Sequence, residues 1–111
     1  MSGVVYLVKA EVDPASETAW ESWNTAVHIP EVLREPGFVR ATKWKVEGAA
    51  KDGWAEYWVG YEVESREALE TYLTGDAVRR LRADHLARFG KVVRLSRAIL
   101  LPVLSVEKPA R

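Results

Sequence analysis

The spacing of apolar residues along this chain switches between every second position and every third or fourth. The order of those switches constrains the fold more than any other feature. Val4, Tyr6, Val8, Ala10 and Val12 alternate, so residues 4–12 read as a strand with one apolar face. Asp13-Pro14 follows, a capping side chain ahead of a residue suited to the first helical position. A helix then runs to about residue 27, with Ala15, Ala19, Trp23, Ala26 and Val27 expected to face inward. Pro30 disfavours helical geometry at Ile29, so a break or step is expected there, with Val32 and Leu33 anchoring a short turn beyond it. Pro36-Gly37 signals a turn, and residues 38–47 and 54–64 read as two strands around a loop at 48–53. Ser65 caps a second helical stretch, interrupted at Thr74-Gly75-Asp76 and ended by Gly90. Residues 92–106 read as the last strand. Ala98, Ile99, Leu100 and Leu101 are apolar at every position, which predicts cover on both faces.

The resulting order, β-α-β-β-α-β, predicts an α+β domain of the ferredoxin-like, split-βαβ kind: a four-stranded antiparallel sheet with helices on one face. A hairpin closed between Glu47 and Trp54 pairs Lys45 with Glu56, Trp44 with Tyr57 and Lys43 with Trp58. That register places Arg40 and Trp44 on the helix side of the sheet with Tyr57 and Tyr61, and Arg97 joins them there. A slip of one residue would exchange partners across the faces. Two helices cover only one face, yet the other face keeps tryptophans and aliphatics. A second copy, packed sheet to sheet, is the expected cover.

The chain's 111 residues suit one domain, read as residues 1–106 with a flexible tail at 107–111. Five tryptophans are many for this length, and each can bury about 150–250 Å². That is more than one thin core absorbs, which again points to a second buried face. Sixteen basic residues balance sixteen acidic ones, so no long-range attraction for nucleic acid or an anionic membrane is expected. The absence of cysteine excludes disulfides, thiolate catalysis and cysteine-based metal sites. No signal-peptide pattern opens the chain, and no apolar run approaches the roughly 20 residues of a membrane span. A cytoplasmic protein is expected.

The stretch from Trp20 to Phe38 concentrates the chemistry. Trp20, Asn24 and His28 stand at i, i+4 and i+8, one line along the first helix, with Trp23 and Val27 on the adjoining line. His28 is the candidate acid/base, Trp20 and Trp23 the apolar wall, and Asn24 or Arg40 the stabiliser of developing oxyanion charge. The plainer alternative has the His28 imidazole bonded to local backbone ahead of Pro30. His85 shares a core-facing line with Leu81 and Phe89 and is expected to be a buried, neutral histidine. Arg40, Arg97, Tyr57 and Tyr61 need partners if buried, either a protein carboxylate or a ligand carboxylate or enolate. Arg79, Arg80, Arg82 and Arg88 read as a solvated basic face. No His-x-x-x-His or His-x-His spacing, Gly-rich phosphate loop or dinucleotide fingerprint is present, so no metal and no cofactor are assigned.

Three features together resemble the dimeric α/β-barrel superfamily: the element order, the Trp-x-x-Trp…His-Ile-Pro-Glu-Val-Leu…Pro-Gly-Phe run, and the closing Leu-Arg-Ala-Asp-His85-Leu-Ala-Arg-Phe89-Gly90 ahead of Ser96-Arg97. Within it they resemble a small bacterial family of unknown function. The resemblance implies a homodimer with its site between the sheet and the first helix. It leaves the reaction open, because members include cofactor-free monooxygenases, polyketide cyclases and isomerases. Haem-degrading members carry a histidine where His85 falls and also an asparagine on the first strand. Here Leu7, Val8 and Lys9 stand in that place. The expected protein binds a small aromatic or polyketide-like molecule, with Trp20, Trp23, Trp44, Tyr57, Tyr61 and His85 as ligand contacts. If catalytic, it is a cofactor-free isomerase, cyclase or monooxygenase-like enzyme. The alternative is a non-catalytic dimeric ligand-binding or assembly module.

Overall fold

The structure, a computed structural model, describes residues 3–110; Met1, Ser2 and Arg111 lie outside the described residues. Four strands, β1 (Val4–Val12), β2 (Phe38–Ala49), β3 (Ala55–Val63) and β4 (Val93–Leu100), form one antiparallel sheet in the order β2-β3-β1-β4. The helices α1 (Glu17–Trp23), α2 (Ile29–Leu33), α3 (Arg66–Leu73) and α4 (Asp76–Phe89) pack on one face of it. This is the expected ferredoxin-like arrangement. Asp13 caps the first turn through its carboxylate, with Pro14 behind it, and Ser65 caps α3 by accepting from Ala68 N–H.

Pro30 does not break the first helical stretch. Residues Asn24–His28 form a π turn that joins α1 to α2, and the Ile29 N–H reaches back five residues to the Asn24 carbonyl. A proline ring collides with the carbonyl four residues before it and supplies no donor of its own. The wider turn accommodates both defects, and Ile29 keeps helical dihedrals.

The hairpin differs from expectation by one residue. Trp44 pairs with Trp58, Lys45 with Tyr57 and Lys43 with Val59. The cause is an irregularity after Phe38: Phe38 opposes Val63, but the next pair is Arg40 with Glu62, leaving Val39 as an extra residue. The side chains from Arg40 to Lys45 change face, up to a second irregularity between Lys45 and Ala49. Ala41, Lys43 and Lys45 therefore meet the helices, while Arg40, Thr42 and Trp44 turn to the open face. The last strand also ends earlier than expected, at Leu100. Val5 is the final β1 partner, and Pro102 has no N–H to continue a ladder. Leu101, Val103, Leu104 and Val106 follow it, all largely exposed.

The core divides in two. One cluster gathers Tyr6, Val32, Tyr61, Leu69, Tyr72 and Leu81; the other gathers Ala10, Val12, Trp20, Tyr57 and Val93. The cavity described next lies where they meet.

Candidate functional site

A small enclosed cavity of about 40 Å³ sits between the sheet and the helices, and Trp20, Asn24 and His28 all line it. The i, i+4, i+8 line of the first helix thus faces the sheet, whereas Ala15, Ala19, Ala26 and Val27, expected to face inward, are exposed because the buried stripe runs through Trp20 and Asn24 instead. Tyr6 from β1, Tyr61 from β3, Tyr72 from α3, Arg82 and His85 from α4, and Arg97 from β4 complete its polar lining. Toward β4 the cavity adjoins a shallow groove of about 280 Å³, and Arg82, His85, Leu95 and Arg97 line both.

His85 is held by Trp20. The buried indole N–H donates to Nε2 at 3.0 Å. An indole can only donate, so Nε2 is the acceptor and a neutral ring carries its proton on Nδ1. Burial, then the neighbouring His28 and Arg97, push the His85 pKa down to about 4. This matches the neutral, hydrogen-bonded core histidine expected there. His28 stacks on Trp23 with centroids 5.0 Å apart and lies 6.1 Å from the His85 ring. Its Nδ1 is buried without a hydrogen-bond partner among the described residues, so the expected alternative of a backbone bond is not seen at that atom. Burial holds its pKa below the usual histidine value, with Arg97 acting in the same direction and Glu31 and Asp84 opposing. Both imidazoles are therefore kept neutral.

Asn24 is buried, and its Oδ1 accepts from Lys43 Nζ at 3.2 Å. Lys43 is held in turn by Glu21 at 2.9 Å and by the Thr25 hydroxyl. The cation anchors the amide oxygen and leaves the NH₂ end as the Asn24 donor. Tyr61 is fully buried, and desolvation pushes its phenol up, out of the working pH range. Tyr6 stacks on Tyr61 at 6.0 Å and accepts a hydrogen bond from Arg82 at 3.1 Å.

Four expected site residues lie elsewhere. Arg40 and Trp44 are on the open face because of the Val39 irregularity; Arg40 meets Glu62 at 3.5 Å, and Trp44 is 52% exposed. Trp23 stands behind the cavity, wedged against His28, His85 and Phe89, because it occupies the neighbouring helical line. Tyr57 is farther along the sheet, where its hydroxyl donates to Glu17 at 2.6 Å and its ring supports Trp20. Sequence reasoning missed Tyr6, Lys43 and Arg82. Lys43 follows from the register. Arg82 had a legible signal, since Val78, Arg82, His85 and Phe89 recur at four, three and four along α4. Arg79, Arg80 and Arg88 do pair with acids on the helix surface, as a solvated face should.

Residues 3–103 match the model of a family described as Domain of unknown function (DUF4286). The chain belongs to this family. No curated protein matches the sequence. Among solved structures, this DUF4286 chain is similar to a variant of SnoaB, a cofactor-independent oxygenase from Streptomyces nogalater. The TM-score is 0.71 at 17% identity, over 97% of this chain and 100% of that one. HapK from Hahella chejuensis superposes with a TM-score of 0.67 at 16% identity, over 96% of this chain and 99% of that one. Rv0793 from Mycobacterium tuberculosis gives 0.64 at 18%, over 96% and 100%. These solved structures share the chain's fold, a four-stranded antiparallel sheet with helices on one face. At these identities the likeness extends to architecture and not to reaction.

Proposed function

We propose that this DUF4286 protein is a cytoplasmic homodimer handling a small aromatic or polyketide-like molecule in the cleft between sheet and helices, by cofactor-free proton-transfer chemistry. The observation that carries the reading is His28: a neutral imidazole on the cavity wall whose buried Nδ1 has no partner among the described residues. A buried polar atom without a partner costs roughly 1–3 kcal/mol, a penalty that a bound ligand would relieve. Beside it the indole of Trp20 excludes water, so proton transfer and hydrogen bonding at the imidazole are strengthened. His28 is the acid/base, and the Asn24 amide is the donor to developing oxyanion charge. The likeness to a cofactor-independent oxygenase is consistent with such chemistry and decides none of it.

The assembly half of the proposal rests on the open sheet face. Val5, Trp44, Gly60, Leu100 and Leu101 line a broad depression there of about 700 Å³. Apolar surface of this kind, continued by the exposed run after Leu100, marks an interaction surface. A second copy covers it.

One observation favours a non-catalytic binding or assembly module instead: the enclosed cavity of about 40 Å³ has room for only a few waters. A His28→Ala variant decides between the two. On the first reading it folds and dimerises normally but loses turnover of, or fluorescence response to, aromatic carbonyl and phenolic compounds. An unchanged response removes the enzyme and leaves the module.

A further inference from the structure

The arginines of this chain divide by their partners. Arg40, Arg66, Arg79, Arg80, Arg88 and Arg94 each contact a carboxylate. Arg34, Arg82 and Arg97, all exposed, contact none among the described residues, and of these Arg82 and Arg97 line the groove beside the cavity. Arg82 donates to the Tyr6 hydroxyl, a neutral acceptor, and among the described residues no hydrogen bond or ion pair engages the Arg97 side chain. The acids nearest the two histidines are committed elsewhere: Glu31 faces Arg80 at 3.7 Å, and Asp84 faces Arg88 at 2.9 Å. Arg94, one strand-face away, takes both Glu11 and Asp52. A chain of zero net charge thus holds two guanidiniums without a carboxylate partner among the described residues at the mouth of the cavity lined by His28 and His85.

We infer that the ligand of this cleft is an organic anion, an aromatic carboxylate or an enolate. Its charged oxygens sit at Arg82 and Arg97, and its planar body runs inward past Leu95 and His85. Planar guanidinium forks match carboxylate and enolate oxygens, and such charge-assisted bonds are roughly twice as strong as neutral ones. The groove, at about 280 Å³, falls just below the range of roughly 300–1,000 Å³ typical of ligand sites. It therefore suits a compound of one or two rings. The inference rests on the cleft being the ligand site, and it adds the charge and size of the occupant.

The test uses salicylate and its neutral amide, salicylamide, titrated calorimetrically into the full-length protein at low salt. The wild-type protein should bind salicylate about tenfold more tightly than salicylamide. Arg97→Gln and Arg82→Gln should each reduce that preference and the double variant abolish it, with salicylamide affinity unchanged. Arg97→Lys should keep part of the preference, and Arg94→Gln, on the opposite sheet face, all of it. Circular dichroism confirms that each variant is folded. Equal binding of both probes by the wild-type protein overturns the anion inference and leaves the small-molecule cleft intact. So does a preference that survives in the double variant, or an Arg97→Gln protein that loses its oligomeric state but not the preference. Failure of the wild-type protein to bind either probe overturns the inference and the ligand cleft together.

Discussion

His85 ties together two tryptophans and a second histidine, and its own chemistry is set by what it accepts. The Trp20 indole occupies Nε2, so His85→Leu leaves a buried N–H without an acceptor. The expected loss is about 1–3 kcal/mol in urea unfolding followed by tryptophan fluorescence. No loss would mean that the indole finds another partner. Acid should act through the same residue. His85 titrates near pH 4 when folded and near its ordinary 6.5 when unfolded. Between those values the unfolded chain binds a proton that the folded chain does not, so stability is full above pH 6.5 and falls as the pH drops toward 4. His28, also held low by burial, contributes in the same direction. Unfolding at a series of pH values should show this decline, and His85→Leu should flatten it. An unchanged slope in that variant would place the titration elsewhere.

At the scale of elements, the π turn at Asn24–His28 does what a break would have undone. It lets one continuous helical run present Trp20, Asn24 and His28 to the sheet while absorbing Pro30. Pro30→Ala restores the missing donor and removes the ring, so an ordinary α turn becomes accessible there. The variant should be at least as stable as the parent, with His28 shifted off Trp23. The proton spectrum reports this as a loss of the ring-current shift at the imidazole. An unaltered shift would show that packing rather than proline holds the wide turn. The turn into β2 is fixed differently. Gly37 has φ +87°, and a Cβ there would lie 2.6 Å from that of Ala68. Gly37→Ala is therefore expected to destabilise by more than about 1 kcal/mol, read as a lower Tm.

For the whole molecule, the open sheet face presents a broad apolar depression lined by Val5, Trp44, Leu100 and Leu101. A homodimer on that face should bury more than about 1,200 Å² in total. Light scattering on a size-exclusion column then gives twice the chain mass of 12.5 kDa. Trp44→Lys, on the edge strand β2 and exposed on that face, should return a monomer with the His28 cleft intact, visible as an unchanged Trp20–His85 environment. A monomeric wild-type protein would dispose of the dimer.

Local chemistry was enough for the element order, the caps at Asp13 and Ser65, the buried neutral state of His85, and the shared helical line of Trp20, Asn24 and His28, though not for which way that line faces. These follow from alternation, helical spacing and capping, which depend on near neighbours only. Tertiary structure alone decided the rest. One extra residue at Val39 reverses a strand's faces, and nothing in its side chain announces this, so Arg40 and Trp44 left the cleft and Lys43 entered it. The turn type at Pro30 depends on what the helix packs against. Which arginines lack an acid is a property of all the elements at once, and it became visible only when Arg82 and Arg97 stood in one groove with no carboxylate beside them.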